Sequence, residues 1–440
     1  MAPHLTRRRF LQTSALVGAA GFWSGRLSGD EKKASPNERL HLGVIGITGR
    51  GEGNINDLAG TASAIVALCD VDEKRSGRVR ARFPQASFHV DFRKLLDQKG
   101  LDAVLIATPD HTHAVATAAA LKAGLHVYCE KPLTHTVHEA RVIAELAARH
   151  KRVTQMGTQI HAGSNYRRVV ELVQAGAIGT VREVHVWCGR SWGGGDRPKQ
   201  TDPVPPTLHW DLWLGPAPER PFHDGSDGSG HGTYHPYNWR GWWDFGGGTL
   251  ADMACHHMDL PFWALKLRYP TKVAAEGPPP HPETTCPALI VRYEFPARGD
   301  LPPVKLTWYD GGKRPPQFAE GKLPKWGDGT LFVGDKGMLI ADYTKHRLLP
   351  EKQFEGFTPP KPTIPDSIGH HKEWVEACKN GGPTTCHFDY AGALTEAVLL
   401  GNVAYRLGKL LAWDPKALRA TNEPGAAKYL HKEYRKPWTL

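Results

Sequence analysis

Cysteine is sparse and unpatterned in this chain. Seven occur, at positions 69, 129, 188, 255, 286, 378 and 386, an odd number without a Cys-x-x-Cys spacing. This argues against a disulfide framework and against a structural zinc site, and no metal is expected. Long apolar runs are also missing: no stretch of about 18 uncharged apolar residues occurs, so no spanning helix is expected. No internal repeat is visible. The formal net charge is +10, but the basic residues are scattered, and six of them lie in the first 37 positions. A scattered excess is a solvated surface rather than a nucleic-acid footprint, so no nucleic-acid partner is expected.

What is present is the composition of a soluble globular protein, 40% hydrophobic and 23% charged, in a chain of 440 residues. That length exceeds one ordinary core and predicts two domains. The first residues read as an address. Thr6-Arg7-Arg8-Arg9-Phe10-Leu11-Gln12 precedes a short, weakly apolar run over 14–23. This is the layout of a twin-arginine export signal, and it predicts a periplasmic protein. No convincing Ala-x-Ala cleavage site follows. Residues 1–37 are read as signal and flexible leader. The export route moves proteins folded in a reducing compartment, which agrees with the cysteine pattern.

From residue 38 the periodicity alternates. Short apolar runs at 42–47, 63–68, 103–107, 126–129 and 153–156 read as buried strands. Helical patterns follow at 72–82, 113–123 and 136–150, the first capped by Asp72 and the last opened by a Thr136/Glu139 capping box. The alternation predicts a doubly wound parallel sheet, a Rossmann domain over 38–160. Residues 161–440 have a different texture. A helix is expected at 165–175, strands at 181–187, 288–295, 304–309 and a hairpin over 330–340, and helices at 370–380 and 391–407. This order predicts an α/β domain around a large, mostly antiparallel open sheet. The stretch 189–240, rich in Gly, Pro, Trp and His, is too long for a plain connector and is expected to cover a site.

The first strand runs into Gly46-Ile47-Thr48-Gly49-Arg50-Gly51. A dinucleotide turn wants glycine at the bend, at the pyrophosphate and where helix meets strand. Gly46 and Gly51 fill the outer places, and Thr48 or Gly49 the middle one, depending on register. Asp70 ends the second strand 24 positions after Gly46, where a carboxylate grips a ribose diol and repels a 2′-phosphate. NAD is therefore expected, with NADP less favoured. Thr108, Pro109, His111 and His113 lie where the next strand ends, and Glu130-Lys131-Pro132 where the one after ends. Ligands of open α/β sheets gather there. Lys131 is placed to polarise a hydroxyl or carbonyl, the alternative being a surface lysine.

In the second half, Asp252 and His256 are four apart and share a face of a helix. Removing hydride from an alcohol carbon needs a base for the hydroxyl proton, for which His is suited, with Asp252 to orient it. The alternatives are a metal held by His256, His257 and Asp259, and a satisfied core histidine.

The glycine turn, Thr108-Pro109-Asp110-His111, Glu130-Lys131-Pro132 and the segment from Gly246 through Asp252 to His256 together resemble the Gfo/Idh/MocA oxidoreductases, whose members include glucose–fructose oxidoreductase and inositol dehydrogenase. The resemblance covers nearly everything after residue 38 and is similar to the family's exported branch in Trp213-Leu214-Gly215-Pro216, Asn402, Tyr405-Arg406 and Tyr434-Arg435. It implies that Lys131 is the catalytic lysine, His256 the acid/base histidine and Asp252 its partner. It also implies a sugar or polyol substrate and a homo-oligomer, dimer or tetramer. Gln159, Tyr166, Arg167, Trp243 and His257 are candidate substrate-side residues. Two departures stand out: Thr48 in place of the middle glycine, and Ala254 where Asp-x-Gly-x-His is usual.

Three functions remain open on the sequence. The first is a sugar or polyol oxidoreductase with a tightly bound NAD, since free cofactor is scarce outside the cytoplasm. The second is an NAD-dependent glycoside hydrolase or lyase working by transient oxidation and elimination. The third is a non-catalytic sugar-binding protein.

Overall fold

The short apolar runs of the first third become six parallel strands: β1 Leu40–Ile45, β2 Ser63–Cys69, β3 Ser87–His89, β4 Ala103–Ile106, β5 His126–Cys129 and β6 Thr154–Met156. They line up in the order β3-β2-β1-β4-β5-β6, which is that of the dinucleotide-binding fold. β4 reads Ala-Val-Leu-Ile and is buried at every position, because helices cover both faces of the sheet. Those helices include α1 Arg50–Asp57, α2 Glu73–Arg82, α3 Phe92–Leu96, α4 Asp110–Lys122 and α5 Val137–His150. The Asp72 carboxylate accepts from the Arg75 N–H at 3.0 Å and starts α2. The Thr136 hydroxyl and Glu139 carboxylate close a reciprocal capping box on α5.

The computed structural model describes residues 39–225 and 231–440. The twin-arginine segment expected over 1–37 lies outside them. No helix among the described residues is long and apolar enough to cross a membrane.

The second half builds a nine-stranded sheet from β7 Val181–Trp187, β8 Lys272–Glu276, β9 Ile290–Phe295, β10 Val304–Tyr309, β11 Gly329–Gly334, β12 Gly337–Ala341, β13 His346–Leu349, β14 Leu411–Asp414 and β15 Arg419–Ala420. Their order is β13-β12-β11-β7-β10-β9-β8-β14-β15, antiparallel except for the β7–β10 pair. The parallel Rossmann sheet and the mostly antiparallel second sheet expected from the sequence are thus present. β3, β8, β13, β14 and β15 were not visible in the sequence: each is short, and none carries a long apolar run or a clean alternation.

Helix α6 Ser164–Gln174 follows β6, and α7 Trp210–Leu214, α8 Gly248–His257, α9 Asp259–Ala264, α10 His370–Asn380 and α11 Phe388–Leu407 complete the helices that matter for the site. α11 packs along α5. Gly392 makes this possible: a Cβ there would already stand 3.1 Å from Ala144 Cβ and 3.2 Å from Ala140 O. The joint ties the C-terminal part to the Rossmann part, and residues 39–440 form one compact unit. The long excursion after β7 carries a core of its own, in which Trp210 stacks on Trp213 (4.6 Å) beside Phe222, Tyr234, Trp242 and Phe245.

Candidate active site

A cleft of about 830 Å³ opens at the carboxyl ends of β1 and β4, the point where the strand order reverses. At its floor, Gly46 has φ 78°, and a Cβ there would meet Ala107 O at 2.7 Å. A Cβ on Gly51 would stand 1.8 Å from Gly46 O, so only glycine lets α1 leave the strand here. Gly49 is different. It has φ 58° and open space where a Cβ would be, and it caps the N-terminus of α1. The middle glycine is therefore Gly49, and Thr48 precedes it. An open, glycine-walled helix N-terminus is a seat for phosphate oxygens.

Asp70 lines the same cleft and organises the turn beside it. Its carboxylate accepts from the Ile47 N–H and from the Asp72 N–H, each at 3.0 Å. Burial pushes this carboxyl up, and the two backbone donors oppose that push. Each oxygen retains a lone pair for a ribose hydroxyl. Ile47 contributes its N–H only, since its side chain is fully buried. Open space at Gly49 and a cleft-facing Asp70 fit a dinucleotide.

The other end of the cleft is charged. Lys131 Nζ donates to Asp252 Oδ1 at 2.5 Å and to Asp252 O at 2.8 Å. Arg240 Nε donates to the same Oδ1 at 3.2 Å. Burial alone would raise the Asp252 carboxyl, but Lys131 and Arg240 hold it well below the usual carboxylate range. The sequence paired Asp252 with His256; the structure pairs it with Lys131 instead. His256, one turn along α8, lines the cleft beside them. Burial first and the Lys131 charge second hold its imidazole well below the ordinary value, which favours its neutral form.

The segment before Lys131 is fixed from below. Glu130 Oε1 accepts from Arg50 Nε (3.2 Å), Asn54 Nδ2 (2.9 Å) and Gln159 Nε2 (2.8 Å), which ties β5 to α1. The ring nitrogens of His113 lie 2.8 Å from the carbonyls of Pro132 and Thr108, joining the two strand-end loops. Helix α4 starts at Asp110, three residues before its expected start, because extended Pro109 (ψ 152°) takes the N-cap position. Thr108, Pro109, His113, Glu130 and Gln159 therefore reach the cleft, while His111 turns away and hydrogen-bonds Trp213 O at 2.9 Å.

Four of the five substrate-side candidates lie off the cleft. Tyr166 is buried and donates to His256 O. Arg167 donates to Pro365 O at 2.8 Å. Trp243 donates to His281 O and packs under Arg406. His257, about 100° round α8 from His256, is buried, stacked on Tyr343 at 4.8 Å and hydrogen-bonded to its hydroxyl at 3.1 Å. A metal held jointly by His256, His257 and Asp259 is ruled out by this geometry: Asp259 is bound to His161 Nδ1 at 2.9 Å and to the Tyr390 hydroxyl at 2.6 Å. Residues that the sequence reading did not single out line the wall instead: Asp110, Arg240, Tyr237, Tyr343 and Trp438. Trp192, Trp213 and Trp239 of the long excursion join them, and Trp210 stays in the local core.

Two family models account for more than half of the chain. Residues 40–158 match the GFO_IDH_MocA model, an oxidoreductase family with an NAD-binding Rossmann fold, and residues 163–298 match its C-terminal alpha/beta domain. The chain belongs to the Gfo/Idh/MocA family. It is 33% identical over 150 residues to inositol 2-dehydrogenase 1 of Saccharopolyspora erythraea, covering 33% of this chain and 44% of that one. It is 29% identical over 168 residues to inositol 2-dehydrogenase of Salmonella typhimurium, covering 37% and 49%. The chain thus spans about half the length of the curated relatives it matches. Among solved structures it is similar to the WlbA dehydrogenase of Bordetella pertussis in complex with NADH and UDP-GlcNAcA (TM-score 0.61, 16% identity, 86% of this chain and 99% of that one). It is also similar to an inositol dehydrogenase homolog of Azotobacter vinelandii complexed with NADH and myo-inositol (TM-score 0.58, 16%, 85% and 98%). At such identities the likeness is one of fold. As a Gfo/Idh/MocA protein this chain keeps its site helix despite Ala254. That helix begins at Gly248 (φ 66°), well before the substitution, and Ala254 is fully buried within it.

Proposed function

We propose that this chain is an oxidoreductase that moves a hydride between a tightly held NAD and a hydroxyl-bearing carbon of a sugar or polyol. The observation that carries the reading is the Lys131–Asp252 contact of 2.5 Å, with neutral His256 beside it, in the cleft that also holds the glycine turn and Asp70. Gly46, Gly49 and Gly51 would receive the pyrophosphate, and Asp70 the adenosine ribose, where a carboxylate favours NAD over NADP. Asp252 fixes the Lys131 ammonium against the substrate oxygen, so that Lys131 favours negative charge there. His256 accepts the hydroxyl proton during oxidation and returns it during reduction. The aromatic faces of Trp192, Tyr237 and Trp239 suit the C–H faces of a sugar ring.

Retention of the cofactor is supported by the long excursion. His235 lies 2.9 Å from Asp72, His209 lies 2.9 Å from Glu73, and Leu208 bridges to Asp72 next to the ribose carboxylate. A retained cofactor must be reduced and reoxidised in place, by two substrates in turn. This is the cycle an exported enzyme needs, and the arginines of residues 7–9 support export by the twin-arginine route to the periplasm. A homo-oligomer is proposed on the family's habit alone, and light scattering of the purified chain tests it.

The deciding experiment is mass spectrometry of small molecules released from protein purified from its own host, followed by a panel of sugars and polyols offered with a second sugar as acceptor. NAD(H) at about one per chain, and turnover lost in Lys131→Ala and His256→Ala, is expected. Protein that neither carries nor binds a dinucleotide overturns the reading. Release of free aglycone from glycosides without net NADH would assign the hydrolase or lyase route instead.

A further inference from the structure

The cleft continues past Asp70. Its wall there is made by Val71 after β2, by Val90, Asp91 and Phe92 after β3, and by Trp438. In a doubly wound sheet this is the adenosine end, because the ribose is gripped at the tip of β2 and the base lies outward from it. Trp438 is 8% exposed. The Arg93 guanidinium stands 4.6 Å from its ring centroid and the Phe92 ring 5.8 Å away at 36°. The segment that brings Trp438 here is firmly tied. Lys432 Nζ donates to His111 O (3.2 Å), the Tyr434 hydroxyl to Glu139 Oε1 (2.6 Å), Arg435 Nη2 to Gly215 O (3.0 Å), and the Trp438 N–H to Arg435 O (3.0 Å).

Trp438 is largely buried against Phe92 and Arg93 yet still lines the cleft, beside a second aromatic ring, at the end where the base of a dinucleotide would lie. We propose that Trp438 is an adenine-binding residue, its indole forming with Phe92 the aromatic wall that receives the base of the dinucleotide. The inference rests on the dinucleotide reading given above and adds to it a contact from a segment far from the glycine turn in sequence. It also accounts for the ordered ties along 432–438, which hold the indole in place before the base arrives and so reduce the cost of ordering it.

The test compares native protein with Trp438→Ala and Trp438→Phe, each stripped of cofactor, by NADH fluorescence titration, ADP-ribose competition and thermal unfolding. Stacking of a base on an aromatic ring is worth about 1–3 kcal/mol. Trp438→Ala is therefore expected to raise the dissociation constants of NADH and ADP-ribose together by about tenfold or more. Trp438→Phe should recover most of the loss, and both variants should lose part of the tryptophan quenching that NADH causes in native protein. Native affinity in Trp438→Ala overturns the inference and leaves the dinucleotide reading standing. So does a Trp438→Phe that binds as weakly as Trp438→Ala while both unfold earlier, since that marks a tail anchor. A native chain that binds neither NADH nor ADP-ribose overturns the reading beneath it.

Discussion

Replacing Lys131 with Met should destabilise the apo protein in a way that depends on pH and on Asp252. The lysine head makes two bonds to Asp252, at 2.5 and 2.8 Å, and the two side chains are 12% and 9% exposed. Removing it leaves a buried carboxylate with Arg240 at 3.2 Å as its remaining ion-pair partner. Breaking one side of a buried pair costs about 3–5 kcal/mol, and with Arg240 still in place the lower end applies, about 3 kcal/mol at pH 7. The sign follows from Asp252. Its folded-state carboxyl is held below the ordinary value, against burial, chiefly by Lys131. A depressed acid contributes stability above its unfolded value, near pH 4, and loses that contribution as pH falls through the folded value. The gap between native and Lys131→Met should therefore narrow as the buffer is taken from neutral to below about pH 4. Asp252→Asn alone strands two cations against an amide, so the double variant should lose less than the two singles together, by about 2 kcal/mol. Urea-unfolding midpoints of the four proteins at both pH values measure this. Additive losses, or a gap indifferent to pH, would show that the pair is not a coupled, buried unit.

Three further outcomes follow from the same geometry. Gly51→Ala places a Cβ 1.8 Å from Gly46 O and should abolish NADH binding along with several kcal/mol of stability; Gly49→Ala, with open space but φ 58°, should cost about 1 kcal/mol and keep the fold. Equal thermal shifts in the two would contradict the turn described. His256→Gln should abolish turnover at near-native unfolding temperature, whereas His257→Gln should lower that temperature and leave NADH affinity unchanged; the reverse pattern would put the wrong histidine in the cleft. Asp110 is pushed up to about 8 by burial and then by the Asp252 charge. Between about pH 4 and 8 the folded chain keeps a proton that the unfolded chain has lost, so stability should fall as pH rises through that window. The difference in melting temperature between native and Asp110→Asn, followed from pH 5 to 9, should carry that slope, and a flat difference refutes it.

The sequence disclosed most where the physics is local. A four-residue apolar run such as Ala103–Ile106, too short for a helix and followed by Thr108-Pro109, reads as a strand buried on both faces, and Thr136 with Glu139 marks the start of a helix wherever the chain then goes. The glycine turn was visible but its register was not. Gly49 and Thr48 are distinguished only by the backbone, φ 58° at one and an ordinary conformation at the other. Adjacent histidines pose the same problem in a helix: they point about 100° apart, and which of them meets the cleft depends on how α8 rolls against β11 and Tyr343. Spacing alone put Asp252 with His256, four apart, whereas its actual partner comes from the loop after β5, 121 positions earlier.

What stayed hidden is long-range and shares one cause. Arg240, His235 and Trp438 reach the cleft from the excursion and from the last turn of the chain, and no periodicity or spacing links them to Asp70 or Lys131. They are joined to it by packing: Trp210 on Trp213, the His235–Asp72 contact, and the ties of Lys432 and Tyr434 to the Rossmann helices. This division has a consequence for how the protein works. The residues legible in the sequence build the glycine turn and supply Lys131 and Asp252. Those that are not legible close over the Asp70 end and line the aromatic wall of the cleft. Cofactor release and substrate choice should therefore respond to changes in 207–240 and 432–438 that leave Lys131 and Asp252 untouched.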